Sequence, residues 1–481
     1  MKSVYKLMLV AVSWLAVDVA QAQQQQSQTF TLEQCVTYAL ENSVSAQNAT
    51  IDQRMAKERM KEVVGAGLPQ INATGNLTHN EKLQRFFGTG STLASFTGAP
   101  IPTSQYNDVF AASSPFQLKS SGTVTLNASQ MIFNGSYFVG VKAAKTYKEL
   151  YTKTTNQTKE QIIQQVTKAY YNVLINKERA QLYDNNLQRV DSLLKNTIAL
   201  NQNGFAESID VDRIRVTYNN IKSERDKFLN INELSVELLK FQMNFPMEQT
   251  IEVSGNIQDV QVETSTANYE KDWDYKVRPD YKVLETNKKL QELNIKNYYA
   301  GSLPTITAVG SYGYNTQSAD IAGLFKTNTN YQDTQTSTGR IGPDKWYSYG
   351  SYGINFNLPL FTGLAHHHQI EQQKLSLMKI ENNFNQLKQS INLEVKQAST
   401  SFENAITSLA WQKENMELAS KVAKVTKTKY EQGVGSNIEV VDAENSLRQA
   451  QTNYYGALFD AMVAKVDLDK AYGKLLPTYV K

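Results

Sequence analysis

Apolar residues recur at alternating steps of four and three along two long stretches of this chain. In the first, Ile162, Val166, Ala169, Val173, Ala180, Leu187, Val190 and Leu194 keep the pattern, with polar Asn176 and Tyr183 at the intervening positions. A period of about 3.5 residues sustained over some five heptads specifies a left-handed coiled-coil seam, not the stripe of an ordinary core helix. Moving 229 positions along gives Ile391, Val395, Ala398, Phe402, Leu409, Met416, Ala419 and Ala423, so the second half repeats the seam of the first. The pattern implies an internal duplication.

The punctuation repeats too. Asn203-Gly204-Phe205 ends the first seam and Gln432-Gly433-Val434 ends the second, while Asp210-Val211 answers Glu439-Val440 in the helix that follows. Upstream, Phe133-Asn134-Gly135 pairs with Phe361-Thr362-Gly363, and Leu68-Pro69 with Leu303-Pro304. The first repeat is expected over residues 23–254: a helix, a strand hairpin at about 68–133, a long helix at about 136–201 and a return helix at about 206–245. Residues 255–274 read as a linker, and 275–481 as the second repeat: a helix, a hairpin at about 304–361, a long helix at about 365–431, a return helix at about 437–475, and a C-terminal tail. Residues 248–274 match neither helix nor strand well.

Four stretches alternate with period two instead: about Leu68 to Asn80, Gly122 to Phe133, Pro304 to Asn315 and Tyr347 to Phe361. In the last, Ser348, Gly350, Tyr352, Ile354, Phe356, Leu358 and Leu360 share the greasier face. Segments of roughly ten residues with this alternation are the weak signature of membrane β-strands, and a soluble hairpin gives the same pattern. Tyr312, Tyr314, Trp346, Tyr347, Tyr349, Tyr352 and Phe356 cluster near the strand ends, as interfacial aromatics do. The Ser/Thr/Gly/Asn-rich segments 81–121 and 316–346 between the strands show no helical periodicity. Four strands are too few to close a membrane barrel, and an open edge in lipid leaves backbone groups unpaired, so several copies would have to pool their strands.

Residues 1–22 carry Lys2 and Lys6 before an apolar run from Leu7 to Val17 and end in Ala20-Gln21-Ala22, an export signal with a small-residue cleavage site. The single cysteine, Cys35, is not next to that site, so no lipid anchor is expected, and one cysteine excludes an intrachain disulfide framework. Cys35 lies on a helical pattern with Val36, Ala39 and Leu40 and reads as a small buried residue. A net charge of +3, with basic and acidic residues interspersed, offers no nucleic-acid surface. Mean hydropathy of −0.45 and the lack of a long apolar run after the signal give no spanning helix.

The junction Leu358-Pro359-Leu360-Phe361-Thr362-Gly363, and Lys429-Tyr430-Glu431-Gln432-Gly433 running into Asn437-Ile438-Glu439-Val440-Val441-Asp442-Ala443, resemble motifs of the TolC-like outer-membrane efflux proteins. Thr31-Leu32-Glu33 and Leu68-Pro69 fit the same family, and the resemblance covers nearly the whole chain after the signal. It implies a mixed α and β membrane protein that assembles as a homotrimer. Three copies would pool their strands into a twelve-stranded barrel in the outer-membrane lipid, continuous with a coiled-coil tube of helices in the periplasm. It implies a passive exit duct for small molecules, docked to a periplasmic adaptor and an inner-membrane transporter, without cofactor or catalysis. The outer-membrane component of a type I protein secretion system is the alternative within the family.

The same resemblance assigns Tyr430, Glu439, Asp442 and Asp210 to a periplasmic gate, and Asn203, Gly204, Phe205, Gly433, Val434 and Gly435 to turns that dock the adaptor. Acids in a first helical turn also favour the macrodipole, and a turn glycine also serves as a helix cap. One departure stands out. Family members with a charged latch carry arginine where this chain has Gly435, and Asn201 stands where the first repeat would have its aromatic residue.

His366-His367-His368 would point about 100° apart on a helix, so three in a row cannot face one ion. An exported coiled-coil protein without a channel would share the heptads but not the matched Leu-Pro and Phe-x-Gly junctions. A hydrolase would need a nucleophile and base, and no G-x-S-x-G, H-E-x-x-H or P-loop pattern occurs.

Overall fold

The computed structural model describes residues 28–98, 100–113, 117–255, 257, 273–325 and 346–479. The export signal at 1–22, most of the linker at 255–274 and the centre of 316–346 lie outside them. The first half runs β1 (Gln28–Phe30), α1 (Leu32–Asn42), α2 (Val44–Gly65), β2 (Gln70–His79), β3 (Arg85–Thr89), α3 (Gly90–Thr97), β4 (Val109–Ser113), β5 (Ser120–Asn134), α4 (Gly135–Gln202), α5 (Ser208–Met243) and β6 (Ile251–Val253). The second runs α6 (Pro279–Ala300), β7 (Thr305–Ser318), β8 (Tyr347–Asn357), α7 (Ala365–Glu431), α8 (Asn437–Ala471) and a short α9 (Leu475–Tyr479). These form two compact units, one of residues 58–145 with 292–374, the other of the remainder.

The first unit is built on an antiparallel sheet in the order β2-β5-β7-β8. Register places Ile71, Ala73, Gly75 and Leu77 of β2 beside Ala128, Leu126, Val124 and Gly122 of β5. On the same face follow Gly310, Tyr312 and Tyr314 of β7, then Tyr352, Ile354 and Phe356 of β8. The opposite face carries Asn72, Thr74, Asn76, Thr123, Thr125, Asn127, Ser311, Asn315, Ser351 and Asn355. Side chains alternate across a strand, so one face is apolar and the other polar. The apolar face is bare: Tyr352 is 96% exposed and Ile354 70%. At its upper end the Trp346 indole lies over Gly122, where an added Cβ would come within 2.6 Å of the ring.

The segment 81–121, which shows no helical periodicity in sequence, holds the helix α3 and the paired strands β3 and β4. Thr89 caps α3 by accepting a hydrogen bond from the Thr92 N–H. Eight residues are too few for periodicity to register, and the Ser/Thr content that suggests a loop here supplies the cap.

The seams lie in the second unit, on α4 and α7, of 68 and 67 residues. At 1.5 Å per residue each spans roughly 100 Å. Ile162, Val166, Ala169, Val173, Asn176, Ala180, Tyr183 and Val190 are buried, as are Ile391, Ala398, Phe402 and Ala423. Along α4 the packing is apolar toward α5, where Tyr183 and Val190 meet Ile214 and Ile221. Toward α8 polar pairs join the apolar contacts with Leu458, Met462 and Val466: Lys168 pairs with Asp467 at 2.5 Å and Arg189 with Glu444 at 3.3 Å, and Asn186 donates to Gln451 at 3.4 Å.

The largest core gathers Cys35, Val36 and Ala39 of α1, Ile162 to Ile175 of α4, Leu239 and Met243 of α5, and Met462 and Val466 of α8. The Cys35 thiol is fully enclosed, and burial pushes it up to about 12. Part of 248–274 is strand after all, since β6 pairs in parallel with β1. Three-residue strands are too short to show alternation, so this closure is not visible in sequence.

Close to that core lies a charged cluster. Buried Arg278 pairs with Asp280 at 3.0 Å and Glu394 at 2.8 Å and donates to the Ala471 carbonyl at 3.1 Å. Glu160 of α4 is buried beside it with one carboxylate oxygen unpartnered, and desolvation lifts its carboxyl to about 7. Arg278 and Lys470 oppose that rise, and Asp280 and Glu394 add to it.

Candidate functional site

Each long helix ends in the same turn. The Gly204 N–H donates to the Asn201 carbonyl at 3.0 Å and the Phe205 N–H to the Leu200 carbonyl at 2.8 Å; Gly433 to Tyr430 and Val434 to Lys429 repeat this, both at 3.0 Å. This pair of bonds is the Schellman motif, which satisfies the last carbonyls of a helix and needs a left-handed residue. Gly204 has φ +79° and Gly433 φ +74°, with open space where a Cβ would stand. The cap explains both glycines, and the space beside them leaves room for close approach from outside.

The turns present matching apolar tips. Phe205 is 81% exposed and Val434 75%, and Ile209 and Ile438, four residues further on in each, are also exposed. Both turns therefore expose an apolar pair at equivalent positions. Gly435 differs from its neighbours: a Cβ there would lie 3.0 Å from the Tyr430 nitrogen and 3.2 Å from the Lys429 carbonyl carbon. A side chain at this position would press on the last turn of α7, which would have to shift by a few tenths of an ångström.

Asp210 is half-buried in the first turn of α5, and Arg213 lies 3.8 Å away in the next turn. The buried Asn437 side chain donates to the Asp210 backbone carbonyl at 3.3 Å, so the first turn of α8 is tied to that of α5. Of the candidate gate residues, Tyr430 is half-buried while Glu439 and Asp442 are exposed. Ser436 caps α8 by accepting from the Glu439 N–H at 3.4 Å, which shows the helix-start chemistry also at work. The pairs 210/213 and 439/442 are equivalent, but Asp210–Arg213 is an ion pair and Glu439–Asp442 are two acids. Three residues apart on a helix, both acids lie on one face.

Asn437, Arg189 and Glu444 escape sequence reasoning, because their partners lie across helices whose relative rotation the pattern does not specify; Arg213 pairs within α5 itself. The 229-residue offset would have exposed the replacement of Arg213 by Asp442. Elsewhere, His366 Nε2 lies 2.9 Å from Ser302 Oγ, and the His367 and His368 rings pack edge to face. No helix among the described residues is long and apolar enough to cross a membrane.

The comparisons agree with this architecture. The chain is 21% identical over 354 residues to the outer membrane protein TolC of Vibrio cholerae, covering 73% of this chain and 76% of that protein. Its fold is similar to the outer membrane protein VceC of Vibrio cholerae, with TM-score 0.68 and 16% identity over 92% of this chain and 96% of that one. It is also similar to the MtrE outer membrane channel of Neisseria gonorrhoeae, solved in its open state, with TM-score 0.69 and 19% identity over 92% and 89%. The family model described as outer membrane efflux protein matches residues 36–230 and 277–474. With most of its length in those two segments, the chain belongs to the outer membrane efflux protein family: an outer-membrane channel protein and not an enzyme.

Proposed function

We propose that this protein is the passive exit duct of a tripartite efflux system, a homotrimer that docks a periplasmic adaptor and an inner-membrane pump to export small molecules. The observation that carries this reading is the sheet with one bare apolar face and two open edges. Successive strands β2, β5, β7 and β8 are antiparallel, so β2 and β8 run in opposite directions. The β8 edge of one copy can then pair with the β2 edge of the next in the same sense as the rest of the sheet. Three copies close twelve strands with the apolar face to lipid and the polar face to the lumen, which removes every open edge.

The matched halves support an internal duplication, and the long seams support a periplasmic tube of helices. The tips carried by Phe205, Ile209, Val434 and Ile438 are the adaptor-docking surface around Asn203, Gly204, Gly433 and Gly435. Tyr430, Asp210, Glu439 and Asp442 form the gate, with the acidic pair on α8 supplying negative charge that the Asp210–Arg213 pair lacks. The driving energy comes from the pump.

Detergent extraction of the mature protein is expected to give a stable trimer with threefold symmetry in single-particle images and a tube on the order of 100 Å below the barrel. A monodisperse monomer soluble without detergent would overturn the reading. For the gate, Asp442→Asn with Glu439→Gln is expected to weaken cation selectivity in planar bilayers. Unchanged selectivity would return these acids to a helix-start role.

A further inference from the structure

The insertion between β2 and β5 is a small folded body with an unpartnered face. Strands β3 and β4 pair antiparallel, Arg85 opposite Ser113 and Thr89 opposite Val109. One side of this ribbon packs on α3: Phe86 stacks obliquely on Phe96 at 6.3 Å, and a Cβ on Gly88 would meet Leu93, which is buried. The other side holds Arg85, Phe87 and Thr89 on β3 with Val109 and Ala111 on β4. There Phe87 is 68% exposed and Val109 74%. Packing on α3 leaves the opposite face of the ribbon uncovered, and the bare Phe87 and Val109 on it form an exposed apolar patch.

Three observations select the occupant of this face. The ribbon follows directly on the membrane-facing sheet: residues 80–84 alone separate His79 of β2 from Arg85. The six steps from His79 to Arg85 span at most about 22 Å, so the ribbon is tethered close to the end of the apolar band. That end already carries the aromatic residues Trp346 and Tyr314, the composition of a lipid headgroup boundary. Finally, the bare face combines apolar side chains with the Arg85 guanidinium at its rim, which also donates to the Ala111 carbonyl at 3.4 Å, and Lys82 and Lys119 flank the ribbon in sequence alongside Glu81 and Asp108. Apolar groups with basic neighbours are the chemistry of a surface that lies in a phosphate-bearing lipid interface.

We propose that the β3–β4 face docks on the outer membrane leaflet, Phe87 and Val109 entering the boundary between headgroups and acyl chains and Arg85 meeting lipid phosphate. The body then acts as a float that sets the height of the barrel in the bilayer. This rests on the reading of the sheet as membrane-spanning, and the test separates the two.

In a Cys35→Ala background, Phe87→Cys is labelled with a nitroxide, and the intact assembly is placed in phosphatidylethanolamine–phosphatidylglycerol vesicles. Ile354→Cys, on the bare face of β8, serves as the control. Power-saturation spectroscopy is expected to show both labels accessible to oxygen and shielded from a water-soluble nickel chelate, with position 87 shallower than position 354. Arg85→Glu is expected to shift the position-87 label toward water. A position-87 label open to the nickel chelate while position 354 behaves as lipid-facing overturns the float and leaves the barrel standing. A position-87 label closed to both reagents means that protein, such as a second copy, covers the face, and this also overturns it. A control label open to the chelate removes the membrane reading itself, and the float with it.

Discussion

Helices α4 and α7 have the same seam and nearly the same length, yet they live in different surroundings. Leu182 of α4 is 8% exposed, whereas Trp411, its equivalent on α7, is 62% exposed. Asn186 is buried against Gln451 while Asn415 is exposed, and Glu160 is buried while Gln389 is exposed. The difference lies in the company each helix keeps. Apolar contacts to α5, and both apolar and polar contacts to α8, hold α4 on two sides. Against α7, the packing near the lower turn is Ala419 and Ala423 with Ala443 and Leu447 of α8. Its free side shows Trp411, Leu418, Val422 and Val425, spaced as one helical stripe. Two stretches with one heptad pattern thus differ: α4 is satisfied within the protomer, and α7 leaves an apolar stripe exposed, which the proposed trimer would cover.

The strongest way to break this comparison is to truncate both members of one equivalent pair. Leu182→Ala is expected to destabilise the protomer by about 2–5 kcal/mol, read from chemical denaturation. Trp411→Ala should leave protomer stability almost unchanged but dissociate the assembly on native gels. Equal losses of protomer stability would show that α7 is packed as α4 is.

A second test moves a second-half residue into the first half. Glu160→Gln installs the amide that the chain already has at position 389. Because the folded Glu160 carboxyl titrates near 7 against an ordinary 4.5, its contribution is full below about 4.5 and lost as pH rises toward 7. The substitution is expected to flatten that part of the stability–pH profile and to stabilise the protein at pH 8, by up to about 3 kcal/mol. An unchanged profile would mean that the Arg278 and Lys470 charges already compensate the carboxylate.

The turns are where the halves agree, so there the comparison predicts equality. Gly204→Val and Gly433→Val should each destabilise by roughly 1–2 kcal/mol through the left-handed backbone alone, since neither site has a neighbour for the side chain to strike. Both should also impair adaptor-dependent export while trimers persist. A much larger loss of assembly at one turn would expose a structural contact that the other lacks. The smallest effect is expected from Asp442→Arg, which recreates the spacing of Asp210 and Arg213 in α8. A gain of about 0.3–0.5 kcal/mol and a weaker preference for cations in bilayer recordings would match an exposed helical ion pair.

Periodicity made the seams and strand faces legible, because burial repeats every 3.5 or 2 residues and Ile162 or Tyr352 declares its side through its neighbours. It was silent on the ribbon and helix within 81–121, on the β1–β6 pairing and on the Arg278 cluster. Those depend on segments shorter than a period, or on contacts such as Arg278 to Glu394 that join distant parts of the chain. At the turns the glycines and acids were legible from their repetition. The Asn437–Asp210 link was not, since it depends on the rotation of one helix against another.

The open edges of the sheet also bear on the life of the protein before it reaches the membrane. A newly exported protomer carries two unpaired strands, β2 and β8, each an equally good template for a correct or a stray partner. In the proposed trimer the correct partner is another copy, so successful assembly would rise steeply with local protomer concentration while mispairing with other chains competes throughout. Slow, dilute synthesis therefore favours loss to aggregation or proteolysis, and synthesis of several copies at one site favours insertion.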